Sequence, residues 1–143
     1  EFVFLPEAGQ GYFGRNYYKE MLRYYFFEPS QKRLNRAWKR GMKFDNLLSG
    51  GHVLSGDNTV FHTTNHILRH YIVLSYEHAL HKYLHRRFAE EDLHRGWHWN
   101  RLNLTENNLA LPENGKWLFQ LTTYDSKDFK RDEPTSEHYW FWD

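Results

Sequence analysis

The chain has 143 residues and a formal net charge of +1 at pH 7, with 19% aromatic residues and no cysteine. This length fits one ordinary domain, and the near-neutral charge excludes nucleic-acid binding driven by bulk positive charge. The lack of cysteine excludes disulfides and thiolate metal sites, which fits a reducing compartment such as the cytoplasm. No apolar run approaches the roughly 20 residues of a membrane span, so no transmembrane segment is predicted.

Two short apolar runs predict strands in the first part of the chain. Phe2–Leu5 is uniformly apolar and is followed by Pro6, and residues 22–27 are strongly aromatic and end before Pro29. Aromatic and β-branched residues are enriched in strands, and proline tends to end them. Glycines at positions 9, 11 and 14 predict a loop between the two runs.

A basic segment follows the second predicted strand. Ser30 is a suitable N-cap for a helix over residues 30–39, and Gly41 would end it. One face of this helix is rich in lysine and arginine, which is typical of a solvated surface. The alternative is a grip on an anion or a phosphate group, because arginine forks match phosphate oxygens.

A Gly-Gly-His turn comes next, at residues 50–52. Glycine permits backbone shapes and close approaches that other residues forbid. His52 is therefore either a group that reaches a ligand or a metal, or the exposed side chain of an ordinary turn. The turn leads into a predicted hairpin with arms at residues 52–54 and 59–62.

The most informative stretch is the strand predicted over residues 67–74, an apolar run that carries Arg69 and His70. Polar groups in an apolar strand cost free energy unless they have partners, and they are concentrated where proteins bind or react. A neutral imidazole is a good ligand for a divalent metal, so His70 is either such a ligand or a core histidine bonded to backbone. Ser75 then caps the clearest helix of the chain, predicted over residues 75–88.

Three histidines follow one another on that helix. His78, His81 and His85 stand at positions i, i+3 and i+7, and the last two have a spacing at which two imidazoles can reach one metal. No HExxH pattern is present, so a zinc-protease site is excluded. A solvated helix face is the simpler interpretation, and a histidine-based metal site stays as an alternative.

The last third of the chain predicts little regular structure. Residues 90–99 indicate a short helical turn and residues 117–123 a strand, with a loop rich in asparagine over 100–115. The chain closes with four consecutive aromatic residues at 139–142. We expect this aromatic tail to dock, either on the body of the domain or on a neighbouring molecule.

A dense polar and aromatic cluster lies at Trp97 and His98, with Asn100 and Arg101 close behind. An indole that stacks on a sugar ring, with amide and guanidinium donors nearby, would suit a carbohydrate. A packed surface turn is the equally good alternative.

Several of these segments, in their order along the chain, resemble the C-terminal part of bacterial family-2-like glycosyltransferases of the GT-A type. In that family an Asp-x-Asp-Glu-Phe motif closes a core strand and a proline follows. The opening residues 1–6, Glu-Phe-Val-Phe-Leu-Pro, look like the end of such a motif, just after its two aspartates.

The resemblance continues through the Phe-Glu-Pro at residues 27–29 and the basic stretch at 33–40 that leads to the Gly-Gly-His turn. It ends with His70-Tyr71, followed by Ser75 and a helix that contains Lys82. It covers roughly residues 1–101, and residues 102–143 form a C-terminal extension without a counterpart. The nucleotide-binding half of the family's domain is not in this chain.

The resemblance implies an α+β fold with a small, mostly antiparallel sheet and two main helices, the acceptor-side half of a GT-A-like domain. It implies metal-dependent transfer of a sugar from a nucleotide-sugar donor to a glycan or lipid-linked acceptor, in the cytoplasm or at the membrane surface. Mn²⁺ or Mg²⁺ would be the cofactor, with His70 as a metal ligand. No catalytic residue is assigned.

Other site residues are implied by the same resemblance. The donor diphosphate would be bound by His52, Lys82, Arg86 and Arg87. The acceptor would be bound by Trp97 and His98. The alternative to a transferase is a non-enzymatic carbohydrate-binding or protein-interaction module that uses an aromatic surface. The two differ in metal dependence, because only the transferase needs the metal ion to bind its donor.

Overall fold

The computed structural model describes residues 1–12, 14–28, 37–45, 54–56 and 59–142. Its centre is a four-stranded sheet in the order β3-β1-β2-β4. The strands are β1 (Phe2–Leu5), β2 (Arg23–Phe26), β3 (Arg69–Tyr71) and β4 (Phe119–Gln120). Both pairings of β2 are antiparallel and the pairing of β1 with β3 is parallel. With short helices around this mixed sheet, the predicted α+β class is confirmed.

Short helices connect and cover the strands. The α-helices are α1 (Tyr17–Glu20), α2 (Tyr76–Ala79), α3 (Glu90–His94) and α4 (Glu106–Leu109). A π-helical segment at Leu80–Leu84 continues α2, and 3₁₀ turns lie at Trp99–Arg101 and Tyr139–Phe141. Within the described part of the chain, no helix is both long and apolar enough to cross a membrane.

The alternation of β1 divides the interior into two cores. Phe2 and Phe4 enter a cluster that we call the phenylalanine core, whose members are Phe2, Phe4, Met21, Tyr24, Leu121 and Phe129. Val3 and Leu5 enter a second cluster, the tail core, which also includes Tyr25, Tyr83, Leu109, Tyr139 and Trp140. Because side chains alternate along a strand, β1 supplies both cores and is buried throughout.

The aromatic tail docks on the domain itself. Tyr139 and Trp140 are 4% and 2% exposed, and the Tyr139 hydroxyl donates to the backbone oxygen of Leu109 at 3.3 Å. Burial of two such large aromatic side chains is a substantial stabilising contribution. Of the two alternatives left open by the sequence, docking on the body of the domain is the one observed.

The Ser75 cap is confirmed, but the predicted helix over 75–88 is too long. The Ser75 hydroxyl accepts from the His78 amide at 3.0 Å, as an N-cap does. The helix then widens into the π segment, and the His85 amide closes its last turn on the Leu80 oxygen at 3.2 Å. Phe88 lies beyond the end of the helix, and its ring stacks on His98 with centroids 4.7 Å apart.

The later strands are shorter than predicted. The strand expected over 67–74 is regular only at β3, and the one expected over 117–123 only at β4. The segment expected to be loop over 100–115 contains α4, where Thr105 and Asn108 form a reciprocal capping box. This cap was missed because asparagine replaces the usual glutamate or glutamine.

Part of the chain that the sequence singled out lies outside the described residues. This holds for the Ser30 cap and most of the predicted 30–39 helix, for the Gly-Gly-His turn and for the tip of the predicted hairpin. Residues 37–39 are described and are not helical, and residues 59–62 are described and do not form a strand. An isolated antiparallel bridge joins Asp45 to Ser55 instead.

Candidate functional site

The two polar residues of β3 point to opposite sides of the sheet. Arg69 lies opposite Phe2, on the side of the phenylalanine core, and donates to the backbone oxygens of Tyr124 and Ser126. Its guanidinium carbon is 5.0 Å from the centroid of Phe129. Arg69 is therefore fully used in holding the loop around residues 124–126 to the sheet.

His70 lies on the other side, where its Nδ1 is 2.9 Å from Oε1 of Glu1. The His70 side chain is 38% exposed, whereas the Glu1 side chain is 4% exposed. The parallel pairing of β1 with β3 brings the two together, since His70 is in register with Val3. A carboxylate can only accept, so Nδ1 carries a proton in this contact, and in that tautomer of the uncharged ring Nε2 would be available as a ligand.

A lysine from the π segment lies on the same side. The Lys82 ammonium donates to the backbone oxygen of Ile72, the residue that follows β3, at 2.6 Å. Burial lowers the pKa of Lys82, and the positive charges of Arg101 and Arg86 lower it further. A π segment inside a helix is uncommon and is frequent at functional sites.

Arg101, in the 3₁₀ turn, and Lys82 both lie over the ring of Tyr83. Its guanidinium carbon is 5.6 Å from the centroid of Tyr83, and the Lys82 ammonium is 5.3 Å from the same centroid. Burial raises the pKa of Tyr83 to about 12, which keeps this ring neutral beneath both charges. Arg101 was considered from the sequence only as a donor to a carbohydrate.

His98 contacts Arg101 from a strained backbone position. Its φ of 64° is in the left-handed region, which a residue with a Cβ seldom adopts. The His98 ring stacks on Phe88, and its Nδ1 is 3.4 Å from Nη1 of Arg101. Burial lowers the pKa of His98, followed by the charges of Arg101 and Arg86. Strain of this kind is concentrated at binding sites and switch regions.

His138 is not singled out by any pattern in the sequence; it directly precedes the aromatic tail and lies on this side of the sheet. Its Nδ1 is 2.7 Å from the Tyr25 hydroxyl, and its ring stacks on Phe27 with centroids 4.3 Å apart. Burial lowers the pKa of His138 to about 4, and the charges of Arg101, His70 and Lys82 act in the same direction. A neutral histidine therefore lies within electrostatic reach of Arg101 and Lys82.

We call the group of His70, Lys82, Arg86 and Arg101 the basic cluster. Arg86 belongs to it through its charge effects on Lys82 and His98, although its guanidinium lies 5.2 Å over Phe88. Such a cluster, partly shielded from water, favours an anionic ligand with several oxygens. It is held in place by contacts from β3, the π segment and the 3₁₀ turn.

Two of the other predicted site residues have no contact with the basic cluster, and the position of a third is not described. Arg87 is exposed and makes no hydrogen bond or ion pair with a described residue. The Trp97 ring lies under Arg95, 5.4 Å from its guanidinium carbon. His52 falls outside the described residues.

In the alternative metal site of His78, His81 and His85, one of the three imidazoles is already used in a hydrogen bond. His78 accepts a hydrogen bond from the Leu74 amide at Nδ1, at 3.1 Å, so this atom stabilises the strand-to-helix turn. The rings of His81 and His85 are 6.3 Å apart and perpendicular. Among the described residues, no group of three metal-ligating side chains comes together.

His70 can supply one ligand to a divalent cation that takes its other ligands from phosphate and from residues other than those described here. One imidazole oriented by a carboxylate is the usual arrangement of a metal-binding histidine. Mg²⁺ is usually bound by one or two carboxylates together with substrate phosphates, so such carboxylates would have to complete the site. Nε2 of His70 is the atom that would bind the ion, and Glu1 is the residue that orients the ring.

Comparisons with family models, with curated proteins and with solved structures find no match to this chain. Its function has to be inferred from its own residues and their geometry.

Proposed function

We propose that this chain is the acceptor-side part of a metal-dependent glycosyltransferase. It would transfer a sugar from a nucleotide-sugar donor to a hydroxyl of a glycan or lipid-linked acceptor. The observation that carries the proposal is the pair formed by His70 and Glu1 at the edge of the basic cluster. A diphosphate leaving group is the anion that such a pair, with lysine and arginine beside it, suits best.

The reaction requires the bond between the anomeric carbon and the diphosphate oxygen to break while the acceptor oxygen bonds to that carbon. The electron pair goes to the diphosphate and the hydroxyl proton goes to a base that no described residue is assigned to. A bound Mn²⁺ or Mg²⁺ would neutralise charge on the departing diphosphate. The chain's own contribution is to hold that diphosphate and to keep its charge compensated.

The roles divide between metal binding and charge compensation. His70 would bind the metal ion through Nε2, and Lys82, Arg86 and Arg101 would compensate phosphate charge. Arg87 would contribute less than these three because, unlike Arg86, it does not act on the pKa of Lys82 or of His98, and His52 keeps its proposed role on the donor side. Trp97 and His98 remain the proposed acceptor residues, with His98 the one that contacts the basic cluster through Arg101.

Replacement of His70 by alanine in the protein made from the full reading frame tests this function. We expect His70→Ala to abolish Mn²⁺-dependent transfer, measured as release of nucleoside diphosphate in the presence of acceptor. His94→Ala is the matched control, because His94 is exposed at the end of α3. Unchanged transfer by His70→Ala would overturn the assignment.

Glu1 provides a sharper test of the same pair. Glu1→Gln keeps an oxygen that can accept from Nδ1, whereas Glu1→Ala removes it. Loss of such an orienting carboxylate typically weakens metal binding roughly 10- to 100-fold. We expect Glu1→Ala to raise the Mn²⁺ concentration needed for half-maximal transfer by about that factor, and Glu1→Gln to raise it much less. Equal effects of the two variants would contradict an orienting role.

A further inference from the structure

A cavity of about 310 Å³ lies between the segment that follows α4 and the aromatic tail. Three tryptophans and three asparagines dominate its lining: Trp117, Trp140, Trp142, Asn107, Asn108 and Asn114. None of the described residues that line it carries a formal charge. Its volume is at the lower end of the range for small-molecule sites, which leaves room for about one ring of a ligand.

Two indoles form a fixed wall of this cavity. The centroids of Trp117 and Trp142 are 5.0 Å apart, with their planes inclined by 42°. Trp142 is held by a hydrogen bond from its Nε1 to the Glu137 backbone oxygen and by edge-to-face packing on Tyr25. Because the wall is pre-formed, a ligand would not have to order it on binding.

The third indole has an unmet hydrogen-bond donor. Trp140 is 2% exposed, yet its Nε1 has no acceptor among the described residues. Buried indole N–H groups normally have a partner, and one left without a partner costs free energy. The side-chain amides of Asn107 and Asn114 also make no hydrogen bond within the described part of the chain. Unused donors and acceptors thus surround an aromatic wall.

We propose that this cavity binds a neutral saccharide ring. The C–H faces of a sugar ring stack on indoles, while its hydroxyls donate and accept at the same time. Amides and an indole N–H can satisfy both functions, and the residues that line the cavity are uncharged, although the Lys116 ammonium lies 4.3 Å from the centroid of Trp117. A sugar hydroxyl would be the acceptor that the Trp140 Nε1 lacks.

The position of Trp140 connects this cavity to the basic cluster. The centroid of its ring is 4.7 Å from the ring centroid of His138 and 4.7 Å from that of Tyr83. Tyr83 is the residue whose ring Lys82 and Arg101 contact. Saccharide binding itself requires neither metal nor donor and would also serve a non-enzymatic carbohydrate-binding module. Only the further identification of this saccharide as the acceptor rests on the proposed transferase function.

Nuclear magnetic resonance of the tryptophan side chains tests the proposal directly. The chain is titrated with maltose, cellobiose and N,N′-diacetylchitobiose in the presence of a metal chelator, and the indole N–H signals are followed. We expect saturable shifts for Trp117, Trp140 and Trp142 with at least one sugar. Trp99, which is 60% exposed and lies outside the cavity, is the internal control and should not shift. Absence of shifts at the three cavity indoles with every sugar would overturn the proposal.

Two variants separate binding from folding. Trp117→Ala removes half of the wall and should weaken the sugar affinity roughly tenfold. Asn107→Ala changes an exposed side chain and should weaken it about threefold, with Trp99→Ala as the matched control that leaves it unchanged. Unchanged affinity in both cavity variants would overturn the site. His70→Ala should bind the sugar normally, so failure of the transferase proposal and failure of this site give different results.

Discussion

The phenylalanine core and the tail core lie on opposite sides of the same strand, but they differ in chemistry. The phenylalanine core is built from ring contacts, such as Phe2 with Phe129 at 4.2 Å between centroids. Its neighbouring cation, Arg69, is fully occupied by backbone oxygens. The tail core buries or half-buries several titratable groups, among them Tyr25, Tyr83 and His138.

Because of this difference, the phenylalanine core mainly stabilises the fold, whereas the opposite side of the sheet carries the candidate site. Apolar ring packing contributes to folding over a wide range of pH, because the rings themselves carry no charge. Buried polar groups stabilise the fold only while their hydrogen bonds are satisfied and they keep the protonation state that those bonds require. The side that carries such groups is also the side with the basic cluster and the cavity, so the two cores should respond to mutation in different ways.

The largest effect is expected in the phenylalanine core. Phe4 is fully buried between Tyr24 and Tyr71, and Phe4→Ala should lower the free energy of unfolding by about 3–5 kcal/mol at every pH tested. Chemical denaturation followed by fluorescence measures it. Phe61→Ala is the matched control, because Phe61 is 44% exposed and should cost less than about 0.5 kcal/mol. Similar costs for the two variants would remove the distinction between core and surface.

The second largest effect is the pH dependence of stability that His138 gives to the side of the tail core. The folded pKa of His138 is about 4, below the ordinary value of 6.5, so the unfolded chain binds more protons between these values. Stability should therefore fall as the pH drops from 6.5 to 4, by about 3 kcal/mol at most. Tyr25, Arg101, His70, Lys82 and Glu1 are the groups that act on this histidine.

His138→Phe tests this dependence, because phenylalanine can still stack on Phe27 but does not titrate. The variant should lose some stability at pH 7, where the Tyr25 hydroxyl has lost its partner, and should show a flatter pH dependence from 6.5 to 4. Denaturation midpoints at several pH values measure the slope. His94→Gln, at an exposed histidine, should leave the slope unchanged. A wild-type slope in His138→Phe would show that other groups cause the dependence.

The smallest effect distinguishes two arginines that the sequence alone does not rank. Arg101→Gln should weaken the binding of inorganic pyrophosphate about fivefold, or about 1 kcal/mol, since this half-buried guanidinium belongs to the basic cluster. Arg87→Gln should change the affinity by less than about twofold, because an isolated exposed charge is screened by salt. Isothermal titration calorimetry at fixed ionic strength compares the two. Equal losses would mean that bulk charge, and not the cluster, binds the anion.

The sequence predicts local features well where a few neighbouring residues decide them. β1 is an apolar run ended by proline, and Ser75 is a serine in front of an amphipathic segment, so both were predictable. The early end of the predicted 75–88 helix was not, because the apolar spacing continues to Phe88 although the last helical hydrogen bond is the one from the His85 amide. The π segment likewise leaves no mark in the spacing of apolar residues.

The candidate site shows the same limit. His70 was found because a histidine interrupts an apolar run. His138 was missed because it lies near the other end of the chain and reaches Tyr25 only after the aromatic tail has docked. The cavity could not be predicted either, since its wall combines Trp117 with Trp142 from a separate segment.

The parallel pairing of β1 with β3 has a kinetic consequence. Residues 6–22 separate β1 from its antiparallel partner β2, whereas residues 6–68 separate it from β3. Closing the longer loop costs more chain entropy, so we expect β1 and β2 to pair early and β3 to join late. Substitutions around β3 should then change the unfolding rate more than the folding rate. The contact between His70 and Glu1 would then form after the pairing of β1 with β2, and it should be lost before that pairing when the protein unfolds.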